Sequence, residues 1–268
     1  MKDKIEKYKL DNIDEIYRQY SVKRRKGNCF FSKTDIFLMW TEGRCDVYNY
    51  GDSIILINRE DGHYALYYLC SDVIDIIGLL PLLAKHYCPL IINEVGRRRE
   101  ELERWKDFSE VELYKIYIRL RRGKNEKTSR MVTAANRVTY PKNDDLETIM
   151  SMIDLYFDRL VSHSPDMQEL QEFVNMQQVL AVYEKDKIAG FLIYEDTGKN
   201  TYIRMLCVSR EFRKKGYANE LVKEYMRIHK ESIYFTVWTN EENHAAIQLY
   251  ESWGYQKEAM NNYIYMVK

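Results

Sequence analysis

Apolar positions in the second half of the chain recur every second residue in some segments and every third or fourth in others. The first spacing predicts β-strands, and the second predicts amphipathic helices. Polar turns join three of the predicted strands into an antiparallel meander, so we expect a mixed sheet with helices on both faces. The predicted order is a strand at 137–140, helices at 144–159 and 166–175, strands at 179–184, 188–194 and 202–208, a helix at 216–229, a strand at 233–238, a helix at 243–252, and strand material up to 268.

The first half repeats much of this order, with a helix at 11–24 and strands at 46–50, 53–58 and 63–70, followed by a helix, a strand and a helix. Segment 108–120 aligns without a gap with segment 255–267. Matching Cys70 with Cys207 gives an offset of 137 residues, and matching Phe108 with Tyr255 gives 147, so the first half is ten residues shorter between these landmarks. We interpret this as a tandem duplication; a chance resemblance between two α/β segments is the alternative.

Between the halves, residues 119–130 lose apolar periodicity and concentrate basic and turn-forming residues. This composition predicts an exposed connector. Aromatic residues do not interleave with the charges there, which disfavours a nucleic-acid patch. We therefore predict two domains, 1–125 and 131–268, that pack against each other.

Composition narrows the class of protein. The 268 residues are 46% apolar and 31% charged, and 41 basic residues balance 41 acidic ones, so no global field favours nucleic acid or an anionic membrane. Five cysteines without a Cys-x-x-Cys pair argue against a disulfide framework or a zinc site. The longest apolar stretch, 73–84, is interrupted by Asp75 and Pro81. We expect a soluble, cytoplasmic protein without a metal.

The segment 206–218 reads as a strand that ends in a basic, glycine-containing turn and then enters a helix. Backbone N–H groups at a helix start, together with nearby cations, make a binding site for phosphate. Gly216 allows the backbone to approach the phosphate oxygens closely. The first half has an acidic and apolar segment at the matching place, so we expect one anion site in the chain.

A second segment, 243–255, begins with Asn243, carries an apolar helix face and ends at Gly254. Together the two segments resemble the GNAT family of acetyl-CoA-dependent N-acetyltransferases, whose motifs are a strand ending in Leu-x-Val, an Arg/Gln-x-x-Gly-x-Gly/Ala turn, and Asn-x-x-Ala-x-x-x-Tyr followed by Gly-Phe/Tyr. The resemblance covers about residues 135–268. It implies an α/β (α+β) fold of two tandem GNAT-like domains, each a mixed, mostly antiparallel sheet flanked by helices, the first degenerate.

The resemblance also implies roles for individual residues. Tyr250 matches the general acid that protonates the departing thiolate, although a packing tyrosine is the alternative. Asn243 bonds the pantetheine or simply caps its helix. Cys207 is expected to be a strand residue rather than a nucleophile. The implied contacts of acetyl-CoA are Leu206, Cys207 and Val208 with the pantetheine, Arg213, Lys214, Lys215, Gly216, Tyr217 and Ala218 with the pyrophosphate, and Asn219 and Asn243 as assisting residues.

The acceptor side is less defined by the sequence. Strand alternation places Tyr202, Arg204 and Leu206 on the face of Val208, and none is a carboxylate. A water chain, Glu195 or an already deprotonated amine could then take the substrate proton. Arg204 is a candidate for binding an anionic group of the substrate, with a salt-bridged arginine as the alternative. By resemblance, the loop with Tyr156, Asp158 and His163 shapes the acceptor pocket.

The expected function is transfer of an acetyl group from acetyl-CoA to a primary amine, on a small molecule or a peptide, by direct attack. Two alternatives stay open at this point. One is an aminoacyl-tRNA-dependent aminoacyl transferase with a tandem GNAT-like fold. The other is a non-catalytic coenzyme A-binding regulatory or scaffold protein.

Overall fold

The computed structural model describes residues 9, 12, 14, 15, 18, 27–29, 31–60, 62–126 and 137–268. Of the predicted helix at 11–24, residues 12, 14, 15 and 18 are described, and the rest lies outside this part of the chain. The described helices are α1 (Lys33–Thr41), α2 (Ile74–Ile77), α3 (Leu80–His86), α4 (Arg99–Leu102), α5 (Leu146–Tyr156), α6 (Met167–Asn175), α7 (Tyr217–Ile228) and α8 (His244–Ser252). The described strands are β1 (Cys45–Tyr50), β2 (Ser53–Glu60), β3 (His63–Leu69), β4 (Leu90–Gly96), β5 (Val111–Gly123), β6 (Val138–Thr139), β7 (Val179–Glu184), β8 (Lys187–Thr197), β9 (Asn200–Val208), β10 (Tyr234–Asn240) and β11 (Gln256–Val267).

The chain divides into two compact units, residues 1–117 with 259–268 and residues 118–258. These units differ from the predicted domains 1–125 and 131–268 in two places. The division falls inside β5, and the last ten residues belong to the first unit.

The first unit contains the meander β1-β2-β3, followed by β4, which runs parallel to β3. The C-terminal part of β11 pairs antiparallel with β4, from Asn261 opposite Gly96 to Val267 opposite Leu90. The pattern did not predict α1, although Ser32 and Asp35 form a reciprocal capping box at its start.

The second unit repeats this topology: β7, β8 and β9 form an antiparallel meander, and β10 runs parallel to β9. Its sheet order is β5-β10-β9-β8-β7-β6. Helices α5 and α6 pack on one face, around Ile149, Phe173 and Phe191. Helices α7 and α8 pack on the other, around Leu221 and Tyr250. The predicted mixed sheet with helices on both faces is confirmed; we call its sides the α6 face and the α7 face.

The prediction of an exposed connector over 119–130 is wrong for its first five residues. They continue β5, in which Ile118 and Leu120 are buried in the core of the α7 face. Arg119 and Arg121 alternate with these apolar residues, so the basic side chains occupy one face of a strand. Residues 127–130 lie outside the described part of the chain.

Candidate functional site

Strand β9 carries a β-bulge at Arg204. On β8, Ile193 pairs with Met205, whereas the next residue, Tyr194, pairs with Ile203, so Arg204 is the extra residue of the bulged strand. Ile203 consequently packs into the core of the α7 face, and Met205 packs into the core of the α6 face. A bulge of this kind changes the direction in which the following side chains point.

The bulge corrects the expectation that Tyr202, Arg204, Leu206 and Val208 share one face. Leu206 and Val208 pack against the core of the α7 face. The Arg204 guanidinium instead lies 5.0 Å from the ring centre of Phe173 in α6. The physical reason is that simple two-residue alternation holds only along an unbroken ladder.

Strands β9 and β10 pair over only part of their length. Their ladder joins Asn200–Ile203 to residues 234–237. Both strands are fully described, and β9 continues to Val208 and β10 to Asn240 without further recorded pairing between them. On the side of β9 that faces β10, the backbone groups of residues 204–208 therefore face an opening between these two parallel strands. Leu206, Cys207 and Val208 lie in this diverging part.

The basic turn follows directly at the end of β9. Lys214 has a φ of +63° and Gly216 a φ of +91°, and α7 begins at the next residue. No side chain caps this helix. The first N–H groups of a helix have no acceptor within it, so here they point toward the space before α7. A Cβ on Gly216 would meet no atom within 4 Å, which shows that this space is open.

Three exposed cations surround the turn, and their contacts differ. Arg213 donates from Nε to the backbone oxygen of Val208 at 3.1 Å, and its guanidinium lies 5.2 Å from the ring centre of Tyr156. Lys215 lies with Nζ 3.9 Å from Glu184, at the limit of an ion pair. Lys214 is the third. The turn thus combines open backbone N–H groups with positive charge, as an anion site requires.

The side chains in the first turn of α7 hold the helix in place. Tyr217 is buried, and its hydroxyl accepts a hydrogen bond from Arg137 at 3.2 Å. Asn219 accepts one from the indole Nε1 of Trp253 at 3.1 Å. Ala218 is half-buried beside them. Their side chains therefore fix the helix start, and the backbone is the part that faces the opening.

The second motif forms the start and the inner face of α8. Asn243 is the N-cap, because its side-chain oxygen accepts from the N–H of Ala246 at 3.2 Å. Tyr250 is 4% exposed and shares an apolar cluster with Leu206 and Val208. Burial raises the pKa of Tyr250, so its hydroxyl remains protonated at neutral pH.

Cys207 lies on the α6 face, opposite to its neighbours Leu206 and Val208. Burial raises the pKa of its thiol to about 12, so the nucleophilic thiolate form is scarce at neutral pH. This agrees with the expectation that Cys207 packs rather than reacts.

Arg204 is held by several groups on the α6 face. Its Nη1 donates to Glu169 at 2.8 Å and to Glu195 at 2.9 Å, and its Nη2 donates to the backbone oxygen of His163 at 2.7 Å. This geometry fits the salt-bridged alternative. Tyr202 hydrogen-bonds Glu195, and burial together with this bond raises the pKa of the Tyr202 hydroxyl.

A groove of about 560 Å³ opens on the α6 face, next to Tyr202. Arg119 and Arg121 contribute to it from β5, which the connector interpretation missed. A signal for this strand is present in the sequence, because segment 108–120 aligns without a gap with segment 255–267, which lies in the predicted strand material up to 268. The lining residues are Arg119, Arg121, Thr197, Asn200, Thr201, Tyr202, Tyr234, Thr236 and Trp238.

Within the described residues, no group of three or more His, Cys, Asp or Glu side chains could hold a metal ion. The five cysteines, all of them described, form no disulfide bond with one another. None of the described helices combines the length and apolarity needed to cross a membrane.

Comparisons with known proteins give a family model for part of the chain and several similar structures. Residues 146–255 match the model of the Acetyltransferase (GNAT) family. A GCN5-related N-acetyltransferase from Sphaerobacter thermophilus is similar in structure, with 13% identity, a TM-score of 0.59, and coverage of 88% of this chain and 85% of that one. An acetyltransferase from the GNAT family from Colwellia psychrerythraea has 11% identity, a TM-score of 0.54, and coverage of 97% and 98%.

A tandem GNAT protein from the clavulanic acid biosynthesis pathway has 10% identity, a TM-score of 0.60, and coverage of 97% of both chains. At these identities the likeness shows the fold. No curated protein sequence matches the chain significantly.

Proposed function

We propose, from the premise that residues 146–255 form a domain of the GNAT family of acetyltransferases, that this protein transfers an acetyl group from acetyl-CoA to a primary amine. One observation carries the proposal. The opening between β9 and β10 leads directly into an uncapped helix start with a positive-φ glycine and three cations. An extended polar chain that ends in a phosphate matches both parts of this arrangement.

The residues present fit acetyl-CoA. The backbone of the turn 213–218 would hold the pyrophosphate, with Arg213, Lys214 and Lys215 supplying charge. The diverging edge at Leu206, Cys207 and Val208 would pair with the pantetheine. Asn219 and Asn243 act on the backbone they position, because their side-chain oxygens are already bonded within the protein. When bound, acetyl-CoA supplies an acyl group activated for attack by a neutral amine.

The reaction requires two proton transfers, one to the departing sulfur and one from the attacking amine. Tyr250 is protonated at neutral pH and donates its phenolic proton to the departing sulfur. On the acceptor face, Glu195 is a carboxylate hydrogen-bonded by Tyr202, and it accepts the proton that the amine loses. Cys207 takes no part as a nucleophile, because direct attack by the amine requires no covalent enzyme intermediate.

The test measures binding and turnover separately on the full chain. Calorimetry gives the affinity for acetyl-CoA, and release of free thiol gives transfer to a panel of amines. Tyr250→Phe is expected to keep the affinity and lower kcat by about 10²- to 10⁴-fold, the usual contribution of a general acid. Tyr255→Phe is the matched control, since Tyr255 is the neighbouring buried tyrosine, 5.5 Å away between ring centres.

Two results would contradict the proposal. Tight acetyl-CoA binding without turnover of any amine would identify a coenzyme A-binding protein. Aminoacyl transfer from charged tRNA, without binding of acetyl-CoA, would identify the aminoacyl transferase class.

A further inference from the structure

The groove on the α6 face presents two arginines stacked on aromatic rings. The Arg121 guanidinium carbon lies 3.5 Å from the ring centre of Tyr234, and that of Arg119 lies 5.7 Å from the ring centre of Trp238. Glu258 bonds both arginines, at 2.5 Å to Arg119 Nε and 3.3 Å to Arg121 Nη1. Stacking and ion pairing fix the planes of both guanidinium groups before any ligand arrives.

The charge of this groove is unbalanced. Two guanidinium groups share the single carboxylate of Glu258, and the other described side chains that line the groove are threonines, an asparagine and aromatic residues. Arg121 makes the longer of the two contacts with Glu258 and is also the more exposed arginine, at 34% against 23%. Its remaining N–H donors are therefore the ones best placed to bind an oxyanion.

The position of the groove suits an acceptor. It lies at the start of β9, beside Tyr202, and the basic turn follows the opposite end of the strand at Val208. Six residues of strand separate these two positions, about 20 Å at roughly 3.3 Å per residue. Strand β5, which carries Arg121, is the second neighbour of β9 across β10. Two strand spacings of about 4.8 Å put roughly 10 Å between the β9 and β5 backbones.

We propose that this groove binds the amine acceptor and selects an amine that carries an oxyanion, a carboxylate or a phosphate, on a planar apolar body. The oxyanion binds Arg121, the planar body lies beside Trp238 and Tyr234, and the amine points toward Tyr202, one residue before the pairing of β9 with β10 ends at Ile203. This inference rests on the proposed function, because it assigns the acceptor of that reaction.

The experiment compares amines that differ only in the anion. The probes are phenethylamine, 4-(2-aminoethyl)benzoate, tyramine and tyramine phosphate, used with the full chain and saturating acetyl-CoA. The expected kcat/KM is at least about tenfold higher for each anionic amine than for its neutral-bodied partner, as a charge-assisted hydrogen bond provides. The carboxylate and phosphate arms show which oxyanion the groove prefers.

The variants isolate Arg121. Arg121→Gln is expected to remove the preference, so that kcat/KM for each anionic amine falls at least about tenfold relative to that of its partner without the anion, and Arg121→Lys is expected to restore part of the preference. Arg122→Gln is the control, because Arg122 is the next residue of β5 and its guanidinium lies over Phe235, which packs in the core of the α7 face. Thermal melts of all variants verify folding.

The inference would be overturned if each anionic amine and its partner without the anion had equal kcat/KM in the wild-type protein. A preference for the anionic amines that survives Arg121→Gln would also overturn it. The affinities of tyramine phosphate and tyramine, measured by calorimetry without turnover, test the oxyanion site separately from the proposed reaction. If no amine turns over but the phosphate still binds through Arg121, the reaction is wrong and the oxyanion site stands. If neither probe binds and acetyl-CoA turnover occurs with other amines, the oxyanion site is wrong and the reaction stands.

Discussion

Replacing Gly216 with alanine tests the anion site at the start of α7. At a φ of +91°, an L-residue costs about 1–2 kcal/mol relative to glycine. For a unit of this size, that lowers the melting temperature by roughly 2–8 °C. The added Cβ projects into open space, so it clashes with no protein atom and occupies only the volume in front of the turn.

The effect on binding is separable from this strain. Loss of one hydrogen bond to a charged phosphate costs about 1.5–3 kcal/mol, which is roughly a 10- to 150-fold loss of affinity for acetyl-CoA. Calorimetric titration with acetyl-CoA alone measures it. Gly198→Ala is the control, because Gly198 has a φ of +67° and similarly open surroundings at the β8–β9 turn of the same unit.

The two glycine variants are expected to differ in affinity for acetyl-CoA and to agree in melting temperature. Both variants are expected to melt at lower temperature by similar amounts, and only Gly216→Ala is expected to bind acetyl-CoA weakly. If Gly216→Ala bound acetyl-CoA as tightly as Gly198→Ala does, the turn would not be the phosphate site, and the reasoning from the uncapped helix start would fail.

Three further predictions concern ionisable and buried groups. Glu195→Gln should lower kcat for the amine acceptor, whereas Glu169→Gln, which removes the other carboxylate bound to Arg204, should keep the wild-type kcat; equal kcat values for the two variants would exclude Glu195 as the base. Tyr255→Phe should raise the free energy of unfolding in urea by about 1–3 kcal/mol, since this buried hydroxyl has no hydrogen-bond partner in the described protein; a loss of stability would contradict this. Burial raises the pKa of Glu94, so the stability linked to it is complete below the ordinary glutamate pKa and falls as pH rises through the higher folded value. Glu94→Gln should therefore flatten the fall in urea midpoint from pH 4 to 8, and an unchanged slope would refute the assignment.

Local sequence signals recovered most of the second unit. Strand β7 has the predicted bounds, and α6 begins one residue after its N-cap Asp166, because alternation, turns and caps are local properties. The bulge at Arg204 could not be predicted in this way, since a bulge is a property of pairing between two strands. The groove was missed for a related reason. Arg119 and Arg121 appear as a basic run until the buried Ile118 and Leu120 show that the run is one face of a strand.

The position of residues 259–268 determines which of the two units is completed first during synthesis. Residues 118–258 form one uninterrupted stretch, whereas the first unit needs residues 259–268 to supply the partner of β4. Domains generally fold as units while the chain emerges, N-terminal parts first. Here the later unit is complete before the earlier one. Until residues 259–268 have been synthesised, β4 presents an unpaired edge from Leu90 to Gly96, the kind of surface on which nascent chains associate wrongly. A stop codon before residue 259 would leave that edge exposed permanently.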